Sequence, residues 1–339
     1  MKILVTGAAG FIGGYLVQEL LDHGHTVVGI DNFSKYGRST KSYDRHPRYT
    51  FVEGDAKDAD LLWKHARDCD QIVAGAAKIG GISYFHTFAY DLIAENERIV
   101  ATTLDTAIRA RREGRLERVV VLSSSMVFEN ATSFPSREGD QFRCPPPSST
   151  YGFQKLACEY FVKGAWEQYK LPYTILRPFN CVGVGEKRAL ADEEILSGNI
   201  RLAMSHVVPD LVQKLLRGQD PLRILGNGSQ IRHYTYGGDL ARGIRMAMES
   251  PAAVGEDFNL SSAASTTVRE LAELIWRKIH PGEEPRIIQD PPFPYDVQKR
   301  IPDGTKAQEV LGFEAKTPLG VMLDEVIDWI REQIRLGSI

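Results

Sequence analysis

Tyr151 and Lys155, in the segment YGFQK (151–155), are the side chains whose spacing most directly suggests chemistry. Residues four apart share one face of a helix, so the lysine ammonium would stand beside the phenol. A free tyrosine has a pKa of about 10 and is a poor base, but a nearby cation favours the phenolate, which could accept a proton from a hydroxyl group. Ser124, in the upstream stretch RVVVLSSS (118–125), could hold the same oxygen atom. The alternative is a packed tyrosine beside a solvated lysine.

Three glycines at a spacing of three, Gly7, Gly10 and Gly13, lie between an apolar strand-like run and a helical period. Glycines at such positions permit a tight turn, close approach of a diphosphate, and close packing of a helix whose N-terminus attracts the anion. Asp31 ends the next strand-like run, 18 residues past Gly13, where a carboxylate would bind a ribose diol and repel a 2′-phosphate. The pattern therefore favours NAD over NADP, with a turn that binds no ligand as the alternative. Asp55, after the third strand, could reach the adenine or cap a helix.

Strand-like and helix-like stretches alternate through the first half of the chain. The predicted strands are 2–7, 26–31, 49–55, 71–77, 118–125 and 173–180. Short links between such elements predict an α/β fold with a parallel sheet covered on both faces, and ligands collect at the carboxyl ends of its strands. The second half is mixed, and Thr267 and Glu270 predict a capping box at one helix start. We predict a nucleotide-binding domain over 1–176 and a smaller substrate domain over 177–339, with some exchange of chain near 230–250.

Composition argues against several classes of function. The 339 residues are 43% apolar and 25% charged, and the net charge of −3 offers no attraction to nucleic acid or to an acidic membrane. The glycine-broken stretch 1–17 fits neither a membrane span nor a secretory signal. The four cysteines, Cys69, Cys144, Cys158 and Cys181, lack the spacing of a zinc site and indicate a reducing compartment. We expect a cytoplasmic protein that binds no nucleic acid, membrane or metal.

Together, TGAAGFIG, SSSMVF, YGFQK, LRPFN and GNGSQIRHY resemble the extended short-chain dehydrogenase/reductase family, the NAD-dependent nucleotide-sugar epimerases and dehydratases. The resemblance covers nearly the whole chain and implies a Rossmann-type doubly wound sheet with a smaller mixed α/β substrate-binding domain. It implies that Tyr151 is the base, that Lys155 lowers the pKa of that tyrosine, and that Ser124 is the catalytic hydroxyl. Besides Tyr151 and Lys155, the implied NAD contacts are Gly7, Gly10, Phe11, Ile12, Gly13, Asp31, Asn32, Asp55, Ala56 and Lys78. The implied contacts to a UDP- or GDP-sugar are Ser125, Met126, Asn180, Val208, Arg232 and Arg300.

The two residues after Ser124 bear on the reaction. The dehydratases of this family place Asp-Glu there and the UDP-glucuronate decarboxylases place a glutamate at the second position, whereas this chain has Ser125 and Met126. A thioether neither donates nor accepts a proton usefully, so reactions that need an added acid or base are disfavoured. Oxidation and re-reduction at sugar carbon 4 remain, and we predict a 4-epimerase that recycles NAD. The alternatives are a net oxidoreductase such as a 4-keto sugar reductase or dehydrogenase, a decarboxylase, and a non-catalytic NAD-binding module.

Two further expectations concern assembly and pocket shape. Family members commonly dimerise by packing the helix near 92–113 and the tyrosine-bearing helix into a four-helix bundle, so the resemblance implies a homodimer. Tyr160, Phe161 and Trp166 would supply that face or belong to the core. We expect the polar insertion at 186–206 to shape the sugar side of the pocket.

Overall fold

The computed structural model describes residues 1–79, 88–186, 206–292 and 296–339, together with two short strands between 196 and 201. Within these residues the strands of the central sheet are β1 (Lys2–Thr6), β2 (Thr26–Asp31), β3 (Tyr49–Glu53), β4 (Gln71–Ala74), β5 (Arg118–Leu122), β6 (Tyr173–Pro178) and β13 (Glu256–Leu260). They lie in the order β3-β2-β1-β4-β5-β6-β13, and every neighbouring pair is parallel. The near-continuous apolar character of β1, β4 and β5 is typical of strands buried on both faces. The predicted Rossmann-type α/β fold is confirmed.

Helices cover both faces of the sheet. On one face α1 (Phe11–Asp22) packs against α6 (Gly237–Glu249), and Leu16, Leu20 and Ile244 are buried there. The opposite face carries α2 (Ala59–Ala66), α3 (Ala89–Glu113) and α4 (Thr150–Tyr169). Small and branched residues of these helices allow α4 to lie close along α3, which fixes the start of α4 over the carboxyl end of β5.

A smaller mixed unit follows the main sheet. Its described elements are β7 (Cys181–Val182), β8 (Leu196–Ser197), β9 (Ile200–Arg201), α5 (Val207–Leu216), β10 (Leu222–Leu225), β11 (Ile231–Arg232), β12 (Thr235–Tyr236), β14 (Thr266–Thr267), α7 (Val268–Ile279), β15 (Ile287–Asp290) and α9 (Leu319–Arg335). Helices α5, α7 and α9 surround an apolar cluster of their own, in which Trp276 is fully buried. The predicted capping box at the start of α7 is confirmed, because Thr267 and Glu270 exchange backbone-to-side-chain hydrogen bonds.

The chain passes between the two parts more than once. Strand β13 pairs with β6, and α8 (Thr305–Leu311) packs on β13, so segments far beyond residue 177 complete the main sheet. The division at 176/177 stays a prediction, and it falls inside β6. The insertion at 186–206 lies outside the described residues except for its two ends and the paired strands β8 and β9.

Two further observations concern the thiols and the helices. All four cysteines are free thiols. Across the described parts of the chain, no helix combines the length and the apolar character that a membrane crossing requires.

Candidate active site

A cleft of about 680 Å³ runs along the carboxyl ends of the parallel strands, with the smaller unit forming its opposite wall. Its described walls include the glycine turn after β1, the ends of β2, β3 and β5, the first turn of α4, and α5. All the residues that the sequence predicts for cofactor, catalysis and substrate line this cleft. The structure therefore brings them together, while the role of each stays a prediction.

The glycine turn shapes the cofactor end of the cleft. Gly7 has a φ of 75°, and a Cβ there would lie 2.9 Å from the backbone of Ala76 at the end of β4. A Cβ on Gly13 would overlap the carbonyl oxygen of Gly7, so α1 approaches β1 as closely as it does only with glycine there. Gly10 is the N-cap of α1, and no described side chain caps this helix start. The N–H groups of the first turn therefore remain available to an anion such as a diphosphate.

Asp31 is held with its carboxylate at the edge of the cleft. The backbone N–H groups of Ala9 and Phe33 donate to its two oxygens at 3.0 and 2.8 Å. Burial raises the pKa of the carboxyl group above its usual value, while these two bonds oppose that rise. Each oxygen keeps a lone pair for a further donor, so the group suits a ribose diol.

Asp55 and its neighbours form the adjoining wall. Asn32 Nδ2 donates to Asp55 Oδ2 at 3.3 Å, and Asp55 Oδ1 accepts from the backbone N–H of Lys57 at 2.9 Å. The N-cap of α2 is Asp58, whose side chain accepts from Leu61, so the helix-capping alternative for Asp55 is wrong. Ala56 is buried beside it and also lines the cleft.

Ser124, Tyr151 and Lys155 line the cleft where the end of β5 lies against the first turns of α4. Helix α4 begins directly before the tyrosine, because Ser149 caps it by accepting from Gly152 N at 3.0 Å. Lys155 Nζ donates to the carbonyl oxygen of Leu122, the last residue of β5, at 2.9 Å, and lies 6.0 Å from the centroid of the Tyr151 ring. Ser124 Oγ accepts from Met126 N at 3.2 Å as the cap of the short 3-10 turn Ser125–Phe128. All three side chains are largely buried but line the same cavity.

The surroundings of Tyr151 are apolar on one side. Its ring packs with Leu92, Met126 and Val297, and Ile79 lies against the same cluster. Ser125 precedes Met126 in the 3-10 turn, and both line the cleft. The described wall beside the phenol therefore offers a thioether at position 126 and not a carboxylate.

Asn180 and Arg300 form the other side of the central cavity. Asn180 has a φ of 36°, donates from Nδ2 to the carbonyl oxygen of His233 at 3.1 Å, and accepts from Arg300 Nη1 at 3.2 Å. Arg300 Nη2 lies 2.8 Å from Met126 Sδ. Left-handed backbone suits an asparagine better than most residues, and here it turns the amide toward the arginine.

Two guanidinium groups lie in this region, and only one of them is paired with a carboxylate. Arg232 Nη2 donates to Asp296 Oδ1 at 3.0 Å, whereas the Arg300 guanidinium has no carboxylate of its own among the described residues. Burial and then the charge of Arg232 lower the pKa of Arg300 to about 9. Arg300 Nε is buried and has no hydrogen-bond partner in the described part of the chain. This excess of positive charge and unused donors would be neutralised by an anionic ligand.

The far end of the cleft is lined by α5. Val208, which the sequence predicts to contact the sugar nucleotide, is buried, packs into the apolar cluster of the smaller unit and forms an apolar part of the cleft wall. Lys214 Nζ and Asp210 Oδ2, 2.6 Å apart, lie on the same helix and also line the cleft.

Sequence reasoning missed two polar contacts near the cofactor end. Asn96 on α3 accepts from Lys78 N at 2.7 Å and donates to Lys78 O at 2.9 Å, which fixes the backbone of the loop after β4. Lys57 and Glu95 form an ion pair on the cleft wall. A polar residue on the buried face of a helix, as Asn96 is, was the available signal.

The chain resembles known proteins over nearly its whole length. The model of the "NAD dependent epimerase/dehydratase family" matches residues 3–261. The chain is 30% identical to a UDP-glucose 4-epimerase of Halalkalibacterium halodurans, covering 98% of this chain and 96% of that protein. It is 28% identical to UDP-glucuronic acid decarboxylase 5 of Arabidopsis thaliana, covering 99% and 90%. A solved UDP-glucuronic acid 4-epimerase from Bacillus cereus, in complex with UDP-glucuronic acid and NAD, superposes with a TM-score of 0.81 at 26% identity, over 98% of this chain and 99% of that one.

Proposed function

Since the chain belongs to the NAD-dependent epimerase/dehydratase family, we propose that it is a nucleotide-sugar 4-epimerase. In this reaction the hydroxyl at sugar carbon 4 is oxidised to a ketone and then reduced from the other face. The observation that carries the proposal is a cleft with Ser124, Tyr151 and Lys155 at its centre and Met126 beside the phenol. These groups can move one hydroxyl proton, and 4-epimerisation needs no other proton transfer.

Tyr151 takes the hydroxyl proton in this mechanism and later returns it. The ammonium of Lys155 stabilises the phenolate through its charge, and its bond to Leu122 O keeps it beside the ring. Ser124 Oγ accepts from Met126 N, which leaves its own proton free to be donated to the sugar oxygen. NAD, when bound, supplies the acceptor for the hydride that leaves carbon 4 and the donor that returns it.

A diphosphate-linked sugar fits the rest of the cleft. Arg232 and Arg300 present donors with too little carboxylate to balance them, which suits a nucleotide diphosphate. Asn180 stands between Arg300 and the central cavity and can contact the phosphate or the sugar. Val208 gives an apolar wall for the base. We infer a UDP-sugar, because the relatives and the solved neighbour named above act on or bind UDP-sugars.

Incubation of the purified protein with a panel of UDP- and GDP-sugars, including uronic acids, tests the proposal. We expect an epimer mixture by NMR without added NAD, because the cofactor is regenerated in each cycle. Tyr151→Phe keeps the ring packing but removes the acidic oxygen, and should lower turnover by about 100-fold or more while NAD binding persists. An unchanged rate in this variant would refute the assignment of the base.

The alternatives predict different products in the same panel. A net oxidoreductase would accumulate NADH or depend on added cofactor. A decarboxylase, as in the Arabidopsis relative, would convert a uronic acid to a pentose with release of carbon dioxide. Tight NAD binding without turnover of any sugar nucleotide would indicate a binding module.

A homodimer remains our expectation for assembly. Phe153, Tyr160, Phe161 and Trp166 on α4 are exposed, so the alternative that Tyr160, Phe161 and Trp166 belong to the core is wrong. Aromatic side chains are enriched where proteins associate, and α4, which carries these side chains, packs along α3 as the proposed four-helix bundle would need. Light scattering coupled to gel filtration tests it, and Tyr160→Glu should shift a dimer toward monomer. The cytoplasmic location also stays a prediction.

A further inference from the structure

We propose that Ser123 and Glu159 are positioning residues, which set the distance between Ser124 and Tyr151 by linking the end of β5 to helix α4. The inference rests on the proposed function, since it assumes that Ser124 and Tyr151 perform the chemistry. Neither Ser123 nor Glu159 was singled out by the sequence motifs.

Glu159 is a fully buried carboxylate that accepts four hydrogen bonds. Ser123 Oγ donates to Glu159 Oε1 at 2.6 Å, and Gln141 Nε2 donates to Oε2 at 3.0 Å. Arg177 donates in a fork, from Nε at 2.7 Å and from Nη2 at 2.8 Å. Arg177 is also fully buried, and its Nη2 reaches Asp257 at 2.6 Å. The carboxylate therefore has a single fixed orientation, and it holds the hydroxyl of the residue just before Ser124.

Leu122, the last residue of β5, and Ser123, which follows it, are both hydrogen-bonded to side chains of α4. Leu122 O accepts from Lys155 Nζ at 2.9 Å, and Ser123 Oγ donates to Glu159, which lies one helical turn further along α4. Ser124 follows directly, and Tyr151 lies one turn before Lys155 on the same helix. The two bonds therefore fix the strand end against the helix, directly before Ser124 and within two helical turns of Tyr151.

The same ion pair also supports the residues after Ser124. The Arg177 guanidinium carbon lies 5.6 Å from the centroid of the Phe128 ring, and Phe128 stacks on Phe179 at 6.2 Å. Phe128 ends the 3-10 turn that Ser124 caps. Glu159 thus contacts Ser123, the residue before Ser124, and Arg177 contacts Phe128, the last residue of the turn after it.

A geometric role explains why an ion pair lies in this position. A fully buried pair gains little stability over well-packed apolar residues of the same volume, because both charges lose their hydration. It does fix direction, because a forked arginine and a carboxylate meet in one arrangement. Catalysis is sensitive to such placement, since a shift of about 1 Å between reacting groups can cost about 100-fold in rate.

Matched variants on the two oxygens of Glu159 test the proposal. Ser123→Ala removes the donor to Oε1, Ser123→Thr keeps a hydroxyl, and Gln141→Met removes the donor to Oε2 without touching the strand that leads to Ser124. We expect Ser123→Ala to lower kcat by about tenfold or more, with KM for the sugar nucleotide and the Kd of NAD unchanged. Ser123→Thr should restore kcat, and Gln141→Met should change thermal stability but not kcat. Equal losses of kcat in Ser123→Ala and Gln141→Met, or none in Ser123→Ala, would overturn the proposal.

Hydrogen–deuterium exchange provides a readout that does not need turnover. In Ser123→Ala the peptide covering 123–128 should exchange faster than in the wild type, whereas Gln141→Met should leave it unchanged. If the wild-type protein turns over no sugar nucleotide, the proposed function fails, and exchange still decides the positioning role. Protected 123–128 amides in Ser123→Ala would refute that role whatever the activity.

Discussion

The Arg300 guanidinium allows a prediction that separates the stability of the folded protein from its affinity for a nucleotide diphosphate. In the folded protein its pKa is lowered to about 9 by burial and by Arg232, so at neutral pH its charge destabilises the folded state relative to the unfolded chain. This cost is fully present below the folded pKa and is lost as the pH rises above it. Arg300→Met removes the charge while keeping much of the length of the side chain. The hydrogen bond to Asn180 is lost, which costs about 1 kcal/mol and partly offsets the gain.

Removing this charge should weaken the binding of a nucleotide diphosphate much more than it affects the stability of the fold. A charge-assisted hydrogen bond contributes about 1.5–3 kcal/mol, so the Kd of UDP should rise by about 10- to 150-fold in Arg300→Met. The melting temperature without ligand should stay the same or rise. Isothermal titration calorimetry and thermal unfolding with and without UDP measure the two effects.

Arg232→Met is the comparison that separates charge from packing. Arg232 is the partner of Asp296, so its removal leaves a partly buried carboxylate without its cation and should lower the melting temperature as well as UDP affinity. If Arg300→Met destabilises the ligand-free protein as much as Arg232→Met does, Arg300 is balanced in the folded state and the reasoning is wrong. UDP affinity that survives both substitutions would place the diphosphate elsewhere.

Three further substitutions test the cofactor end of the cleft and a buried carboxylate on α3. Asp31→Asn should raise the Kd of NAD by about tenfold or more, because the ribose loses a charged acceptor. The preference for NAD over NADP should become smaller, because the 2′-phosphate loses a repulsive neighbour. Fluorescence titration with both cofactors measures the two effects. Asn96→Ala should leave both backbone groups of Lys78 without their side-chain partner, which should lower stability by about 2 kcal/mol and raise the Kd of NAD, whereas an unchanged Kd would show that the loop keeps its shape unaided. Glu97 has two buried carboxylate oxygens without a described partner, and burial raises its pKa. Glu97→Gln should therefore raise the free energy of unfolding at pH 8, and the gain should fade as the pH falls through the folded pKa and toward the ordinary value of about 4.3, as urea titrations at several pH values would show.

The local features of this fold could be predicted from sequence, because each depends on a short stretch. The glycine turn at Gly7–Gly13 could be predicted because only glycine permits the close approach of backbone found there. The capping box could be predicted because Glu270 follows Thr267 by three residues. The parallel sheet follows from apolar runs alternating with helical periods. Asp55 shows where such reasoning stops, because a carboxylate near a helix start can cap it or face a ligand, and only the tertiary structure distinguishes the two.

The contacts that could not be predicted join residues distant in sequence. Arg300 reaches Asn180 across 120 positions, and Arg177 reaches Asp257 across 80. The return of the chain to the main sheet as β13 has the same origin, because the short sequence EDFNL, in which only Phe258 and Leu260 are apolar, does not indicate which part of the fold the strand joins. Buried polar side chains such as Glu159 carry a weak signal in one sequence, since an exposed helical glutamate has the same pattern until its partners are known.

The position of Met126 bears on the reaction more directly than family membership does. In the mechanism we propose, Ser124, Tyr151 and Lys155 would serve any reaction that begins by making a 4-keto sugar, so they cannot by themselves distinguish epimerisation from elimination or decarboxylation. What differs among these outcomes is the group beside the phenol that can move a second proton. Here that group is a thioether packed against Tyr151 and in contact with Arg300 Nη2, and neither neighbour turns sulfur into a useful acid or base. Within the described walls of the cleft, position 126 therefore offers no second proton-transfer group to a ketone formed beside Tyr151, which supports our proposal that the hydride returns to the sugar.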